Sequence, residues 1–315
     1  VESVTDTPPP AAQLDLTRLR VLAAVARTGS VTAAARELHY AQPSVSHHLA
    51  RLEAEAGLPL LERVGRGVRL TEAGRLLADR AEEIIGRVEG VQRELDALAG
   101  LRAGRARLAA FPSALATLVP AAVTRLRSAH PGLGVGLVEA EPPEALAALR
   151  AGEVDVALVF EHDAPDRTER RADELAGFEV TEVLDDVVHL VTPADGAPEV
   201  AATARPATIL RAVRSQTWIA GCERCRADLV GRCATAGFAP RIAYETDDYV
   251  AVQALVAAGA GVSLLPGLAL RAHRHPDVRA TPLPGAVRRV LALTVGAPAP
   301  PARALVSHLA AAGAA

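Results

Sequence analysis

The 315-residue chain contains no Lys, no Asn and no Met, so all 34 of its basic side chains are Arg. Without Lys there is neither a Schiff-base amine nor a Gly-Lys phosphate loop, and without Asn there is no N-glycosylation acceptor. Cysteine is scarce and odd in number, at three, which does not make the disulfide framework of a secreted protein. Long hydrophobic runs are missing too: the most apolar stretch, 250–270, is broken by Gln253, Gly259, Gly261 and Pro266. Residues 1–13 lack the basic-then-apolar layout of a signal peptide, so the expectation is a cytoplasmic protein with no membrane partner. His-Glu-x-x-His, Gly-x-Ser-x-Gly and Gly-x-Gly-x-x-Gly are absent, and Gly132-x-Gly134-x-Gly136 has the wrong third spacing. No catalytic group, cofactor or metal site is nominated.

What is present is an apolar half and a formal charge of only -3, which argues against disorder and against a protein that is basic throughout. Any basic surface must be local. Residues 1–13, with Pro8-Pro9-Pro10, read as a disordered leader. From Leu14, apolar residues Leu16, Leu19, Leu22, Val25 and Ala26 recur at helical spacing as far as Thr28-Gly29. Ser30 can cap a short Ala-rich helix over about 31–38, and His39-Tyr40-Ala41 connects it to a third helix opening at Gln42-Pro43. Proline suits a first helical turn, and Val45, Leu49 and Leu52 then share one face until Gly57. Leu60 to Thr71 reads as a small basic hairpin. A long helix follows, with Leu77, Ala81, Ile84, Val88, Val91, Leu95 and Leu98 alternating spacings of four and three, a seam that wants a partner helix. Gly86 and Gly90 weaken its intrinsic propensity, and Gly100 and Gly104 end it.

Beyond Arg105 short β-like runs alternate with Ala/Leu helices: strands near 105–111, 133–138 and 154–160, helices near 115–126 and 143–150, then a loop at 161–168. Further strands are expected near 187–191, 217–220, 241–244 and 262–265. The βαβαβ order implies a parallel sheet, here in two α/β subdomains.

If the third helix enters a major groove by its N-terminal end, Gln42, Pro43, Ser46 and His47 project from its free side toward base edges and phosphates. From Leu14 to Thr71 there are eight Arg against five acids, while Glu72 to Gly100 carries four Arg and seven acids, so positive charge gathers where DNA would lie. A three-helix Ala-rich bundle also occurs in proteins that never touch DNA. The wording of the segment decides further. Leu19-Arg20-Val21-Leu22, Gly29-Ser30-Val31-Thr32-Ala33-Ala34-Ala35, Gln42-Pro43-Ser44-Val45-Ser46, Gly57-Leu58-Pro59-Leu60-Leu61-Glu62-Arg63 and Leu70-Thr71-Glu72-Ala73-Gly74 closely resemble the N-terminal domain of LysR-type transcriptional regulators. Gly152-Glu153-Val154-Asp155-Val156-Ala157-Leu158 and 256–266 look like that family's two regulatory subdomains.

The resemblance implies an α/β protein with an all-α winged helix-turn-helix N-terminal domain (14–71) and a dimerising linker helix (72–104). A periplasmic-binding-protein-like, two-subdomain α/β effector domain (105–315) would follow, with subdomain 1 at about 105–180 and 282–315 and subdomain 2 at about 181–281. It implies double-stranded DNA and a small-molecule effector as partners, and a homodimer or homotetramer. Carried onto this sequence, DNA contacts fall on Gln42, Pro43, Ser46 and His47 and on Arg63 and Arg66 around the wing. Ala41 stands where many members carry a capping Ser or Thr, and His47-His48 replaces a frequent Arg or Gln. Effector-wall candidates are Phe111, Pro112 and Ser113, Glu141 and Pro142, Phe160, Glu161 and His162, and Trp218 to Gly221 (Ala220 among them) with Thr246. Ser113 leads, because a hydroxyl at a helix start can hold an anion. Cys222, Cys225 and Cys233 form a Cys-x-x-Cys-x7-Cys run with three readings. It could be incidental thiols, a metal site lacking a fourth ligand, or a redox-switched regulator pairing Cys225 with Cys233, the spacing loosely similar to a peroxide sensor of the family. A solute-binding module with an unrelated helical leader is the remaining alternative.

Overall fold

The computed structural model describes residues 14–64, 67–98, 104–163, 174–195 and 204–314. The expected leader, the wing tip with Arg66, and part of the 161–168 loop lie outside the described residues, as do the side chains of Arg63 and Leu98. The chain falls into two compact units, one running to Leu95 with Arg150–Gly152, the other made of the rest.

In the first unit, α1 (Leu16–Thr28) starts where the Asp15 carboxylate accepts from Arg18 N at 3.1 Å and stops where Gly29 turns left-handed at φ +66°. Ser30 Oγ accepts from Ala33 N and opens α2 (Val31–Glu37). After the turn at His39, α3 (Gln42–Ala56) begins with Pro43 in its first turn and has no side-chain cap. Val45, Leu49 and Leu52 are buried against Leu19, Leu22, Val25, Ala34 and Ala35, so the apolar stripe of each helix faces one small core. The hairpin β1 (Leu61–Val64) and β2 (Gly67–Leu70) is antiparallel with Leu61 opposite Leu70. It leads into α4 (Glu72–Leu98), whose first turn is closed by Thr71 Oγ1 accepting from Gly74 N.

The second unit is built on one eight-stranded sheet in the order β4-β3-β5-β10-β6-β9-β7-β8. Its first half holds β3 (Arg105–Ala110), the single turn α5 (Pro112–Leu115), α6 (Leu118–Ala129), β4 (Gly134–Glu139), α7 (Pro142–Arg150) and β5 (Val156–His162). There β3 pairs parallel with both β4 and β5. The second half holds α8 (Pro206–Ala212), β7 (Thr217–Ala220), α9 (Glu223–Thr235), β8 (Arg241–Glu245), α10 (Tyr249–Ala257), β9 (Val262–Pro266) and α11 (Gly267–Ala272), with β7 parallel to β8 and β9. The parallel sets match the βαβ rhythm of the sequence.

Two long strands that the local pattern does not announce join the halves. β6 (Phe178–Pro193) and β10 (Val278–Val295) pair antiparallel, with the register broken between Pro282 and Val287. The expected strand at 187–191 is only the distal part of β6. β10 pairs with β5 over Arg288 to Leu293, and β6 pairs with β9 over Val188 to Val191, so each long strand serves both halves. The chain closes with α12 (Pro300–Gly313), whose Leu305 and Leu309 return to the core of the first half beside Leu118, Ala122 and Leu126.

Candidate DNA-reading surface and effector cleft

Gln42, Pro43, Ser46 and His47 are all exposed at the N-terminal end of α3, with Pro43 and His47 turned away from its buried stripe. No side chain caps α3; Pro43 brings no N–H to its first turn, and Ser44 N donates to the Ala41 carbonyl at 2.9 Å.

The seam expected on α4 divides. Ala81 is fully buried in the core of its own unit, which corrects its assignment to the seam, while Leu77 packs against the same core and is only partly buried. The reason is that α1 needs a cover, and the first turns of α4 provide it. Ile84, Val88, Val91 and Leu95 remain exposed, as does Leu76.

In the second unit a cleft of about 480 Å³, partly open to solvent, lies between the two halves. Phe111, Pro112 and Ser113 come from the β3–α5 corner, Glu141 from the end of β4, and Phe160 from β5. Gly221, Cys222 and Cys225 come from the start of α9, and Thr246, Asp247, Tyr249 and Arg288 add polar groups to the lining. The residue that organises the site is one the sequence reading missed. Arg288 is only 2 % exposed although it carries a full charge. Its Nη2 donates to Asp186 Oδ2 at 2.7 Å and to Ser113 Oγ at 3.1 Å, and its Nε donates to Asp186 Oδ2 at 3.2 Å. The guanidinium carbon lies 4.4 Å from the Phe160 ring centroid and 4.8 Å from that of Phe111, and the two rings meet edge to face at 5.0 Å. Nη1 has no hydrogen-bond partner among the described residues. Asp186, itself 4 % exposed, also accepts from Leu268 N at 3.0 Å, so both charges of the pair are fixed in place.

Glu141 faces this group. Burial raises its carboxyl above the usual range, against an opposing hydrogen bond from the Cys222 thiol, and its Oε2 is buried with no partner. The cleft therefore sets the Arg288 cation and a half-buried carboxyl above an aromatic floor.

Of the expected wall residues, Ser113, Phe160 and Thr246 line the cleft, with Phe111, Pro112, Glu141 and Gly221. Pro142, Glu161 and Ala220 do not, and these are corrections. Pro142 is buried at the start of α7. Glu161 follows Phe160 on a strand, so alternation sends its side chain to the other face of the sheet. Ala220 packs with Trp218 in the core of the second half. Ser113 sits on a single helical turn, where its hydroxyl oxygen accepts from Arg288 Nη2. The cysteine pairing changes as well. Cys233 is buried in the same core as Trp218 with its thiol pushed up to about 12 by burial, whereas Cys222 Sγ and Cys225 Sγ lie 3.1 Å apart.

Residues 16–75 match the bacterial regulatory helix-turn-helix protein, lysR family, and residues 99–314 match the LysR substrate binding domain. The chain belongs to the LysR family. It is a transcriptional regulator with a DNA-binding helix-turn-helix and an effector-binding domain, and the match over residues 16–75 sets aside a solute-binding module with an unrelated leader. Among curated relatives of this regulator, the probable HTH-type transcriptional regulator LrrA of Synechococcus elongatus is 31% identical over 282 residues, 90% of each chain. The uncharacterized HTH-type transcriptional regulator YcgK of Bacillus subtilis is 30% identical, over 84% of this chain and 83% of its own. Among solved structures, full-length CbnR complexed with its target DNA superposes with a TM-score of 0.59 at 24% identity, covering 95% of this chain and 100% of CbnR. No described helix of the regulator is long and apolar enough to cross a membrane.

Proposed function

We propose that α3 reads DNA through Gln42 and Ser46 at base edges, with His47 and the wing arginines Arg63 and Arg66 on phosphates. We further propose that Arg288, Ser113 and Glu141 receive the acidic group of a small organic acid whose apolar body lies on Phe111 and Phe160. The observation that carries the DNA reading is the exposure of Gln42, Pro43, Ser46 and His47 at the N-terminal end of a helix whose Val45-Leu49-Leu52 stripe is buried. That arrangement leaves one helix face free and rigidly backed, as groove entry requires. The CbnR complex with target DNA supports it through shared fold. For the cleft, the support is a buried guanidinium held at the wall by Asp186 and Ser113, with Glu141 Oε2 buried beside it and without a partner among the described residues.

In this reading a protein dimer forms through Ile84, Val88, Val91 and Leu95, and ligand binding draws the two halves of the effector domain together. A coupling of about 1–3 kcal/mol between cleft and DNA suffices to change affinity about 5- to 150-fold. Genomic fragments retained by the full-length protein supply the test. Gln42→Ala should cost about 1–3 kcal/mol on selected fragments and little on random DNA. An equal loss on both would remove Gln42 from base reading.

A further inference from the structure

Two thiols stand in the effector cleft without a part in the reading above. Cys222 is the N-cap residue of α9 and Cys225 lies one turn on, so the Cys-x-x-Cys spacing brings both to the same end of the helix, with Sγ atoms 3.1 Å apart. Both are free, both line the cleft, and both pack against the core of the first half although their helix belongs to the second. The single proton of the Cys222 thiol has two acceptors within reach, the Cys225 sulfur and the Glu141 carboxyl, and Glu141 stands on the opposite half. The start of α9 is thus tied across the cleft by a thiol. Two further ties flank it: Arg224 donates to the Phe160 carbonyl at 3.4 Å and pairs with Glu174, and Asp228 meets His162 at 3.3 Å.

We infer that Cys222 and Cys225 form a reversible disulfide inside the cleft, made by a hydroperoxide, and that its formation undoes the Cys222–Glu141 tie between the halves. Because Cys222 donates to Cys225, Cys225 is the attacking sulfur and Cys222 the resolving one. The Cys225 thiolate takes the distal oxygen of ROOH; the O–O bond breaks, ROH leaves with one proton, and a sulfenic acid remains on Cys225. Cys222 then attacks that sulfur; the S–O bond breaks, an S–S bond forms, and hydroxide leaves as water with the Cys222 proton. Two thiols and one ROOH give one disulfide, ROH and water. Closing the bond draws the sulfurs together by about 1 Å, to about 2.05 Å, and strips Glu141 of its thiol donor. Cys233 takes no part, since it is enclosed in a separate core.

The thiol chemistry stands on the sulfur geometry alone, while its consequence for the cleft rests on the effector reading above, and two readouts keep them apart. Full-length reduced protein is treated with hydrogen peroxide, and its thiols are counted and mapped after denaturation. The expected result is loss of two thiols of three, a 222–225 linkage within one chain, and full reversal by dithiothreitol. Cys222→Ser should stop at a trappable sulfenic acid on Cys225, and Cys225→Ser should keep its remaining thiols. The second readout is emission from Trp218, the only Trp of the chain, four residues before Cys222. It should shift on oxidation of wild type and stay fixed in both variants. Three intact thiols, or a linkage through Cys233, would overturn the disulfide. A 222–225 disulfide that leaves Trp218 emission unmoved would overturn the tie across the cleft.

Discussion

Arg288 is a cation taken almost wholly out of water, and what keeps it there is Asp186 on the neighbouring strand. A buried pair of this kind contributes little relative to apolar packing, but losing one member strands the other. Arg288→Met should therefore cost about 3–5 kcal/mol of unfolding free energy, measured by urea titration, and Arg288→Met with Asp186→Asn should recover much of it. Equal losses in the single and double variants would place the cost in packing instead. Glu141 makes a prediction in pH. Its folded carboxyl titrates above its unfolded value, so its contribution is fully present below the ordinary carboxylate range and is lost as pH rises through the raised value. Glu141→Gln should flatten that part of the stability profile, and parallel curves for the two proteins between pH 4 and 7 would count against it. Ser113, Phe160 and Thr246 were legible through the family resemblance, which places wall residues after strand ends and at helix starts. Arg288 was not. It lies 175 positions from Ser113 and 102 from Asp186, and only the pairing of β10 with β5 and β6 brings the three together.

Among the elements, α1 to α3 could be read almost to the residue, since each begins or ends on a local signal: Asp15, Gly29, Ser30, Pro43 and Gly57. The face of α4 was legible, its partner was not. Periodicity tells which residues are apolar together, while what covers them is decided by distant chain, and here α1 takes Leu77 and Ala81. The exposed remainder leads to a prediction at this scale. Ile84→Glu with Val88→Glu should leave the helix-turn-helix folded, because neither side chain is in its buried core, yet should give monomers in sedimentation at micromolar concentration. A variant that remains dimeric would place the contact elsewhere. The same limit hid β10: with Arg288 and Arg289 mid-strand and Pro282 and Pro284 in its first part, its pattern does not read as a strand, and pairing on both sides makes it one.

For the molecule as a whole, the expected crossings between subdomains near residues 180 and 282 fall inside the long strands β6 and β10. β6 and β10 belong to both halves, so motion about the cleft has to flex a continuous ribbon, most readily where the register breaks between Pro282 and Val287. Ligand that bridges the halves should also stabilise them together. At a hundredfold excess over Kd the effector domain should gain about 2.7 kcal/mol as one transition, and calorimetry that resolves two halves melting apart would contradict it.

The ribbon has a consequence for synthesis. The half that starts at Arg105 needs Val290 and Ala292 from β10 and Leu305 and Leu309 from α12 to fill its core. The other half lies nested between those segments and has most of its own strands sooner. On the ribosome, then, the portion begun first is finished last, and a nascent chain cut before residue 300 keeps a raw apolar surface on the older half. Chaperone capture should concentrate there, on strands that left the exit tunnel long before their mates.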